Sequence, residues 1–230
     1  MFKKINWKKY GFEFLSIFIA VISAFALNNW NENRKDSQVE SRILREISNG
    51  LEKDIEDVKI NVGGHKEGLL ACQFWRNVLN NKEVQLDSLR QYYLALTRDF
   101  IAIQNTSGYE TLKSKGLELI KNDSLRTKII SIYEYDFATL KKLEEEYNEL
   151  QFQENYFKEI NRFLAPKFQF DAKGDISGLK LPIKINKSDK NLLLSYLWKI
   201  QLNRRFALRY YSEVEGKISA LRKEIEEELE

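Results

Sequence analysis

The chain has 230 residues, of which 43% are hydrophobic and 31% are charged, which is enough for a core and excludes a disordered chain. Two prolines and ten glycines are too few for a turn-rich all-β sandwich, so a helical protein is expected. The net charge of +3 comes from an N-terminal cluster of Lys3, Lys4, Lys8 and Lys9. The rest of the chain is slightly acidic, so no nucleic-acid-binding face is expected. One cysteine and one histidine exclude an internal disulfide and a His-rich metal site.

Residues 11–30 are predicted to form a transmembrane helix. Between Gly11 and Leu27 the only charge is Glu13, and the stretch is at the short end of what crosses a hydrocarbon core. Aromatic rings stand at both ends, where they favour the headgroup layers, namely Trp7, Tyr10 and Trp30. In one helix the two tryptophans would lie about 34 Å apart, close to the thickness of the hydrocarbon core.

The flanking charges predict the orientation of this helix. Four lysines precede it without an opposing acid before Glu13, whereas the residues after it mix both signs. This asymmetry places residues 1–10 in the cytoplasm and residues 31–230 in the periplasm, although a count of basic residues alone gives nearly a tie. A cleaved signal peptide is the alternative, because Ala24-Phe25-Ala26 fits an A-x-A cleavage site. The early Glu13 and the late Trp30 favour a retained anchor in the cytoplasmic membrane.

A recognisable pattern surrounds the apolar stretch. Gly11 and Glu13 stand at its start, and Asn28-Asn29-Trp30-Asn31-Glu32-Asn33-Arg34-Lys35 follows it. This opening resembles that of a family of uncharacterised single-pass membrane proteins of the Bacteroidota, a domain of unknown function, in which a Gly-Glu pair precedes the stretch and an Asn-Asn-Trp-Asn-Glu collar follows it. A second recurring stretch of that family looks like Thr111-Leu112, Gly116-Leu117, Leu119-Ile120-Lys121-Asn122, Leu125-Arg126, Ile129 and Tyr133.

The resemblance is specific at the N-terminus, and most of the chain matches only in being helical. Phe12 separates the glycine from the glutamate, and Ala26 stands where the family often carries glutamine. The resemblance implies a cytoplasmic-membrane anchor with a helical domain outside it. It carries over no catalytic residue and no ligand.

Apolar spacing predicts that the anchor helix continues into the soluble domain. Residues recur at intervals of three and four, namely Leu44, Ile47, Leu51, Ile55, Val58 and Val62. Gly63-Gly64 is predicted to end this helix, a second helix is predicted over residues 66–79, and a third is predicted to begin after Asp87. His65 is therefore expected in an exposed turn, and Cys72 is expected to be a buried packing residue.

Two long helices are predicted in the second half of the chain. Asp123 or Ser124 is expected to cap the first, which runs to Leu164, and Ser188 or Asp189 is expected to cap the second. Both carry coiled-coil-like apolar stripes, and they should pack antiparallel. Residues 165–188 between them form a non-helical insertion, in which a strand is predicted to pair with Phe168 and Phe170; its residues are Leu181, Ile183 and Ile185. The fold class is all-α: one N-terminal transmembrane helix continuing into an elongated antiparallel helical bundle with a short irregular or β-hairpin-like insertion.

One face of the membrane helix is expected to contact another helix. At 100° per residue, a carboxylate and four small residues share a sector of roughly 100°, namely Glu13, Ser16, Ala20, Ser23 and Ala24. Their spacing fits the small-xxx-small pattern of associating membrane helices. The partner would be a second copy or another membrane protein. Glu13 would either fix that contact or reach back to Lys9 at the membrane boundary.

A charge also interrupts the apolar stripe of the last helix, at Arg204. If the two long helices are antiparallel, Arg204 lies across from Glu149 and Glu154 and would form an ion pair with one of them. The alternative is that its stem follows the seam and its guanidinium extends into water.

The common catalytic motifs are missing from the sequence. It contains no G-x-S-x-G, no Walker lysine loop, no C-x-x-C and no H-E-x-x-H, so no catalytic residue, cofactor or metal ligand is assigned and no enzyme is expected. We expect a scaffold or interaction protein of the cell envelope that acts through helix faces, with the lipid bilayer as one partner and no nucleic acid. The alternative is a periplasmic sensory domain that binds a small ligand and signals through a membrane partner.

Overall fold

The structure, a computed structural model, describes residues 7–97 and 101–230, with side chains from residue 11 onward. Helix α1 (Trp7–Leu79) has 73 residues, and helix α7 (Lys187–Leu229) has 43. The two run antiparallel, because Glu52 contacts Arg222 near one end and Arg76 donates to Gln201 near the other. The predicted all-α fold is confirmed, and in it the long N-terminal apolar helix packs against the C-terminal helix.

Helix α1 does not end where the glycines predict. It passes through Gly63-Gly64 to Leu79, so the predicted break between two helices is wrong. Two glycines cost a helix about 1 kcal/mol each, but buried side chains on both sides of them, Val58 and Ala71, hold the helix against the bundle. His65 consequently lies inside a helix and is 4% exposed, rather than in an exposed turn.

The first of the two predicted long helices is divided. Its parts are α4 (Asp123–Ser131), α5 (Phe137–Glu145) and α6 (Lys158–Leu164). A π-helical turn, Ile132–Asp136, joins α4 to α5, and an irregular stretch with a second π turn, Gln153–Phe157, separates α5 from α6. Asn122 caps α4 by accepting from the Leu125 amide, in place of the predicted Asp123 or Ser124. The series runs antiparallel to α7, since Lys128 pairs with Glu224 and Glu149 with Lys199.

Two short helices pack along α1. They are α2 (Leu89–Leu94) and α3 (Ser107–Lys115). Helix α3 approaches closely at Gly108, where a Cβ would lie 2.8 Å from the Ile47 backbone nitrogen. Gly116 follows α3 with φ of +107°, a conformation that favours glycine and ends the helix.

A small hairpin lies in the insertion. Strands β1 (Phe168–Phe170) and β2 (Ile176–Leu179) are antiparallel, with Phe168 opposite Leu179. The predicted strand through Leu181, Ile183 and Ile185 is therefore wrong. A tight turn explains the difference, because Asp171 Oδ1 accepts from the amides of Lys173 and Asp175 and returns the chain early. Asn186 caps α7 by accepting from the Asp189 amide at 2.8 Å, in place of the predicted Ser188 or Asp189.

The apolar core has two parts. One lies nearer the N-terminal apolar segment and includes Ile47, Leu140 and Tyr211. The other lies nearer the hairpin and includes Trp75, Phe152 and Ala207. The buried His65, Glu144 and Arg204 lie near the boundary of the two parts, beside Tyr211.

The first part of α1 stands outside the bundle. Residues 11–38 are exposed, and the helix is long and apolar enough there to cross a membrane. This segment is a candidate membrane span.

Candidate functional site

A layer of buried polar side chains crosses the bundle between the two apolar clusters. His65 comes from α1, Glu144 from α5, and Arg204 and Tyr211 from α7. Each of the four is less than 9% exposed. We call these four residues the polar layer.

Glu144 is the centre of the polar layer. Its Oε1 accepts from the Tyr211 hydroxyl at 2.6 Å and lies 3.5 Å from His65 Nε2, and its Oε2 accepts from the Ala102 amide at 3.2 Å. The Glu144 carboxyl group, which belongs to α5, thus connects helices α1 and α7 with the chain between α2 and α3. Burial, together with the neighbouring Glu144, raises the pKa of Tyr211, so the hydroxyl keeps its proton and donates.

His65 lies between a cation and a carboxylate. Arg204 Nη1 is 3.4 Å from His65 Nδ1, on the opposite side of the ring from Glu144. A guanidinium can only donate, so Nδ1 accepts and Nε2 carries the proton toward Glu144. Burial is the largest cause that lowers the pKa of His65, and the charge of Arg204 lowers it further. The neutral imidazole therefore accepts a hydrogen bond from Arg204 and directs its own N–H toward Glu144.

Arg204 is fully buried, with no exposed surface. Its Nη2 donates to the Ala95 carbonyl at 2.7 Å, and its guanidinium carbon lies 4.7 Å from the centroid of the Phe152 ring. The alternative that this guanidinium extends into water is wrong. Gly68 makes room for it, because a Cβ there would overlap the guanidinium.

The predicted partners of Arg204 have other contacts. Glu149 accepts from Asn203 Nδ2 and from the Tyr156 hydroxyl, and it pairs with Lys199 at 3.6 Å. Glu154 is exposed. Glu149 thus meets Asn203 and Lys199 of α7, because α7 is rotated so that Arg204 points toward α1.

Carboxylates also hold the irregular segment that enters α3. Asp54 accepts from the Asn105 amide at 2.7 Å, Asp57 accepts from the Ile103 amide at 3.0 Å, and Glu144 holds Ala102. Backbone amides outside regular structure need such acceptors when water is excluded. Asp54 is not among the residues singled out from the sequence, and His65 is expected there in a turn, although both follow the three- and four-residue spacing of the apolar stripe on α1, where a polar side chain is unexpected.

Asp54 predicts a pH dependence of stability. Burial raises its pKa from 3.8 to about 7, against the lowering effect of the Asn105 amide. Because the folded protein holds this proton more tightly than the unfolded chain, the contribution of Asp54 falls as the pH rises through that window. Between pH 4 and pH 8, the free energy of unfolding of the unaltered protein should fall by on the order of 2 kcal/mol relative to that of Asp54→Asn.

Urea unfolding of both proteins at a series of pH values measures this difference. His65 acts in the opposite direction, since a lowered pKa makes its contribution fall with decreasing pH, but both proteins contain it and its effect cancels. Parallel pH profiles would contradict the assignment.

The structure places the predicted membrane face on one exposed helix. Glu13, Ser16, Ala20, Ser23 and Ala24 all lie in α1 and are exposed. The Ser16 hydroxyl donates to the Phe12 carbonyl at 2.9 Å within the same helix. Of the predicted aromatic belt, Trp30 is exposed and the Arg34 guanidinium lies 5.8 Å from its ring centroid. The side chains of Trp7 and Tyr10 lie outside the described residues.

Cys72 and the possible metal ligands also bear on chemistry. Cys72 is buried with no exposed surface, and burial raises the pKa of its thiol to about 11, as suits a packing residue. Among residues 11–97 and 101–230, no group of three or more His, Cys, Asp or Glu side chains could hold a metal ion.

Comparison of the chain with protein-family models, with curated proteins and with solved structures finds no match.

Proposed function

We propose that this protein is a membrane-anchored helical scaffold that acts through helix–helix contacts and catalyses no reaction. The observation that carries the proposal is the continuity of α1, which runs from the candidate span into the bundle core without a break. From Trp30 to Leu79 the helix extends for about 74 Å. A helix packed with α7 over most of this length holds the bundle in a fixed orientation to the anchor.

The proposed location is the cytoplasmic membrane, with residues 1–10 in the cytoplasm and residues 31–230 in the periplasm. The lysines before the apolar segment and the aromatic residues at its ends support this orientation. The likeness of the N-terminal pattern to single-pass Bacteroidota proteins supports the location. The polar layer supports a structural role for the bundle, because its donors and acceptors bind one another.

A protease experiment tests the orientation. Added to spheroplasts of the native host, protease should remove the bundle and spare the N-terminal residues, because only the tail before Gly11 lies in the cytoplasm. Digestion only after lysis would show the opposite orientation. A mature N-terminus at Leu27 would show that the apolar segment is a cleaved signal peptide instead.

Substitutions on the membrane face test the scaffold function itself. Ala20→Ile and Glu13→Gln should each weaken cysteine crosslinks along this face severalfold, because close approach needs small residues and Glu13 supplies a polar contact. Phe18→Leu, on the opposite side, is the matched control and should leave them unchanged. Crosslinks to the same chain identify a homo-oligomer, and crosslinks to another protein identify its membrane partner. Equal crosslinking from both faces would leave the segment as an anchor alone.

A small-ligand sensor is the second candidate, and a cleft favours it. About 220 Å³ of space lies between the Ile132–Asp136 π turn and α7, bounded by Ser131, Leu221 and the Lys128–Glu224 pair. Asp136 lines it, is 1% exposed, and accepts from Lys217 at 2.6 Å through Oδ1. Its Oδ2 has no hydrogen-bond partner among the described residues. A metabolite that raises the unfolding temperature of the full-length protein, but not of Asp136→Asn, would support the sensor.

A further inference from the structure

The outward face of α7 carries an exposed aromatic and cationic surface. It consists of Trp198, Leu202, Arg205, Phe206 and Arg209, and we call it the α7 patch. Trp198 is 56% exposed and Leu202 is 50% exposed. At 100° per residue, all five lie within about 60° of Leu202, on the side of α7 opposite its buried residues. No other helix in the described part of the chain covers them.

A second element extends the α7 patch. Tyr147 comes from the irregular stretch after α5, and its ring centroid lies 6.2 Å from that of Phe206. Beside Phe206, a groove of about 280 Å³ is bounded by Arg209, Tyr210 and Glu213. Tryptophan, tyrosine and arginine are the residues that most often dominate binding energy at protein interfaces.

The charges of the α7 patch are not neutralised by any ion pair within residues 11–97 and 101–230. Arg205 and Arg209 are exposed and form no ion pair with any residue in the described ranges. Three other cations of α7 pair with residues of other elements: Lys199 with Glu149, Lys217 with Asp136 and Arg222 with Glu52. Two unpaired guanidinium groups beside an apolar stripe complement an acidic flank on a partner.

We propose that the α7 patch docks an acidic amphipathic helix of another protein in the same compartment. This docking site rests on the proposed scaffold function and deepens it by naming the class of partner that the scaffold binds. A straight apolar stripe of one helix receives the apolar face of a second, and Arg205 and Arg209 lie where that helix would place its acidic residues.

Two other occupants fit less well. A second copy, held parallel by its own anchor, would bring the arginines of both patches together, and like charges at an interface repel. The bilayer is too distant, because Gln201 contacts Arg76, which lies about 69 Å along α1 from Trp30.

Photo-crosslinking in native membranes tests the identity of the occupant. A photoreactive residue at Leu202 of the full-length protein should label a segment of another protein that combines helical apolar spacing with flanking Asp and Glu. The same residue at Ile60, which is exposed on α1, is the matched control and should not label that segment. Labelling of a second copy, of a basic or uncharged segment, or of no protein would overturn the proposal.

A designed probe tests the chemistry. Full-length protein in nanodiscs is titrated with a fluorescent helical peptide that has leucine on one face and glutamate on its flanks, and with a twin that has lysine for glutamate. The acidic peptide should bind more tightly, and the double variant Arg205→Glu, Arg209→Glu should weaken its binding at least about tenfold. Trp198→Ser should weaken binding about tenfold as well.

Matched variants complete the titration. Arg42→Glu with Arg45→Glu reverses two exposed arginines of α1, and Ile60→Ser removes an exposed apolar side chain there; both should bind the acidic peptide as the unaltered protein does. Equal binding of the two peptides, or no effect of the α7 variants, would overturn the docking site. Extraction of the unaltered protein by alkali would instead contradict the membrane anchor and leave the crosslinking result standing.

Discussion

Glu144→Leu is expected to lower the free energy of unfolding by about 4 kcal/mol. The substitution removes the acceptor of the Tyr211 hydroxyl and the Ala102 amide and the carboxylate beside His65. All three donors would then be buried without their acceptor, and Arg204 would lose the nearby negative charge. Urea unfolding of the full-length protein in detergent, followed by circular dichroism, measures the loss.

Glu145→Leu is the matched control for this substitution. Glu145 is the next residue on the same helix, and its only ion pair in the described ranges is an exposed one with Lys141 at 3.9 Å. Its loss should cost below about 1 kcal/mol. Glu144→Gln should lower the free energy of unfolding by an amount between these two losses. The amide retains one acceptor oxygen but turns an NH2 group toward a donor. Equal losses for Glu144→Leu and Glu145→Leu would show that the polar layer does not stabilise the bundle.

Gly68→Ala is expected to lower the free energy of unfolding by about 3 kcal/mol. The added methyl group would overlap the guanidinium of Arg204, which is fully buried and has no solvent to move into. Relief would require Arg204 to give up its hydrogen bond to the Ala95 carbonyl. The same unfolding measurement applies.

Gly63→Ala, in the same helix, provides the control. Apart from the adjacent residues and the backbone of the same helix, no atom lies within 4 Å of a Cβ at Gly63, so alanine should stabilise the helix by about 1 kcal/mol. In an Arg204→Ala background, Gly68→Ala should cost much less than in the unaltered protein, because the overlapping group is gone. Effects of Gly68→Ala that match those of Gly63→Ala would contradict the close approach.

The helical fold could be predicted because its signals are local. Apolar residues every three or four positions predict helices without knowledge of their partners, and α7 extends from Lys187 to Leu229 as that spacing indicates. The insertion after Leu164 was also marked by its glycines and prolines. The segment that pairs with Phe168–Phe170 could not be predicted, because the choice between residues 176–179 and residues 181–185 depends on the turn that Asp171 forms.

The polar layer could not be predicted for a different reason. Gly63-Gly64 has the local signature of a helix end, but α1 continues through it because the residues on both sides are buried in the bundle. His65 was therefore assigned to a turn. For Arg204, distance along a helix can be counted from the sequence, but the rotation of α7 about its axis depends on all of its contacts. Asn203 rather than Arg204 thus meets Glu149.

The position of the polar layer has a consequence for how the long helices align. Two helices with continuous apolar stripes can slip past each other by one or two turns with little loss of contact area. Here a slip of seven residues toward the C-terminal end of α1, about 10 Å, would carry Arg204 from His65 and Gly68 to the buried Cys72 and Trp75, where an isolated charge costs several kcal/mol. In the observed stagger of α1 and α7, the Arg204 guanidinium donates to His65 and to the Ala95 carbonyl. The polar layer therefore opposes sliding of α7 along α1 in this direction, whichever apolar residues fill the rest of the seam.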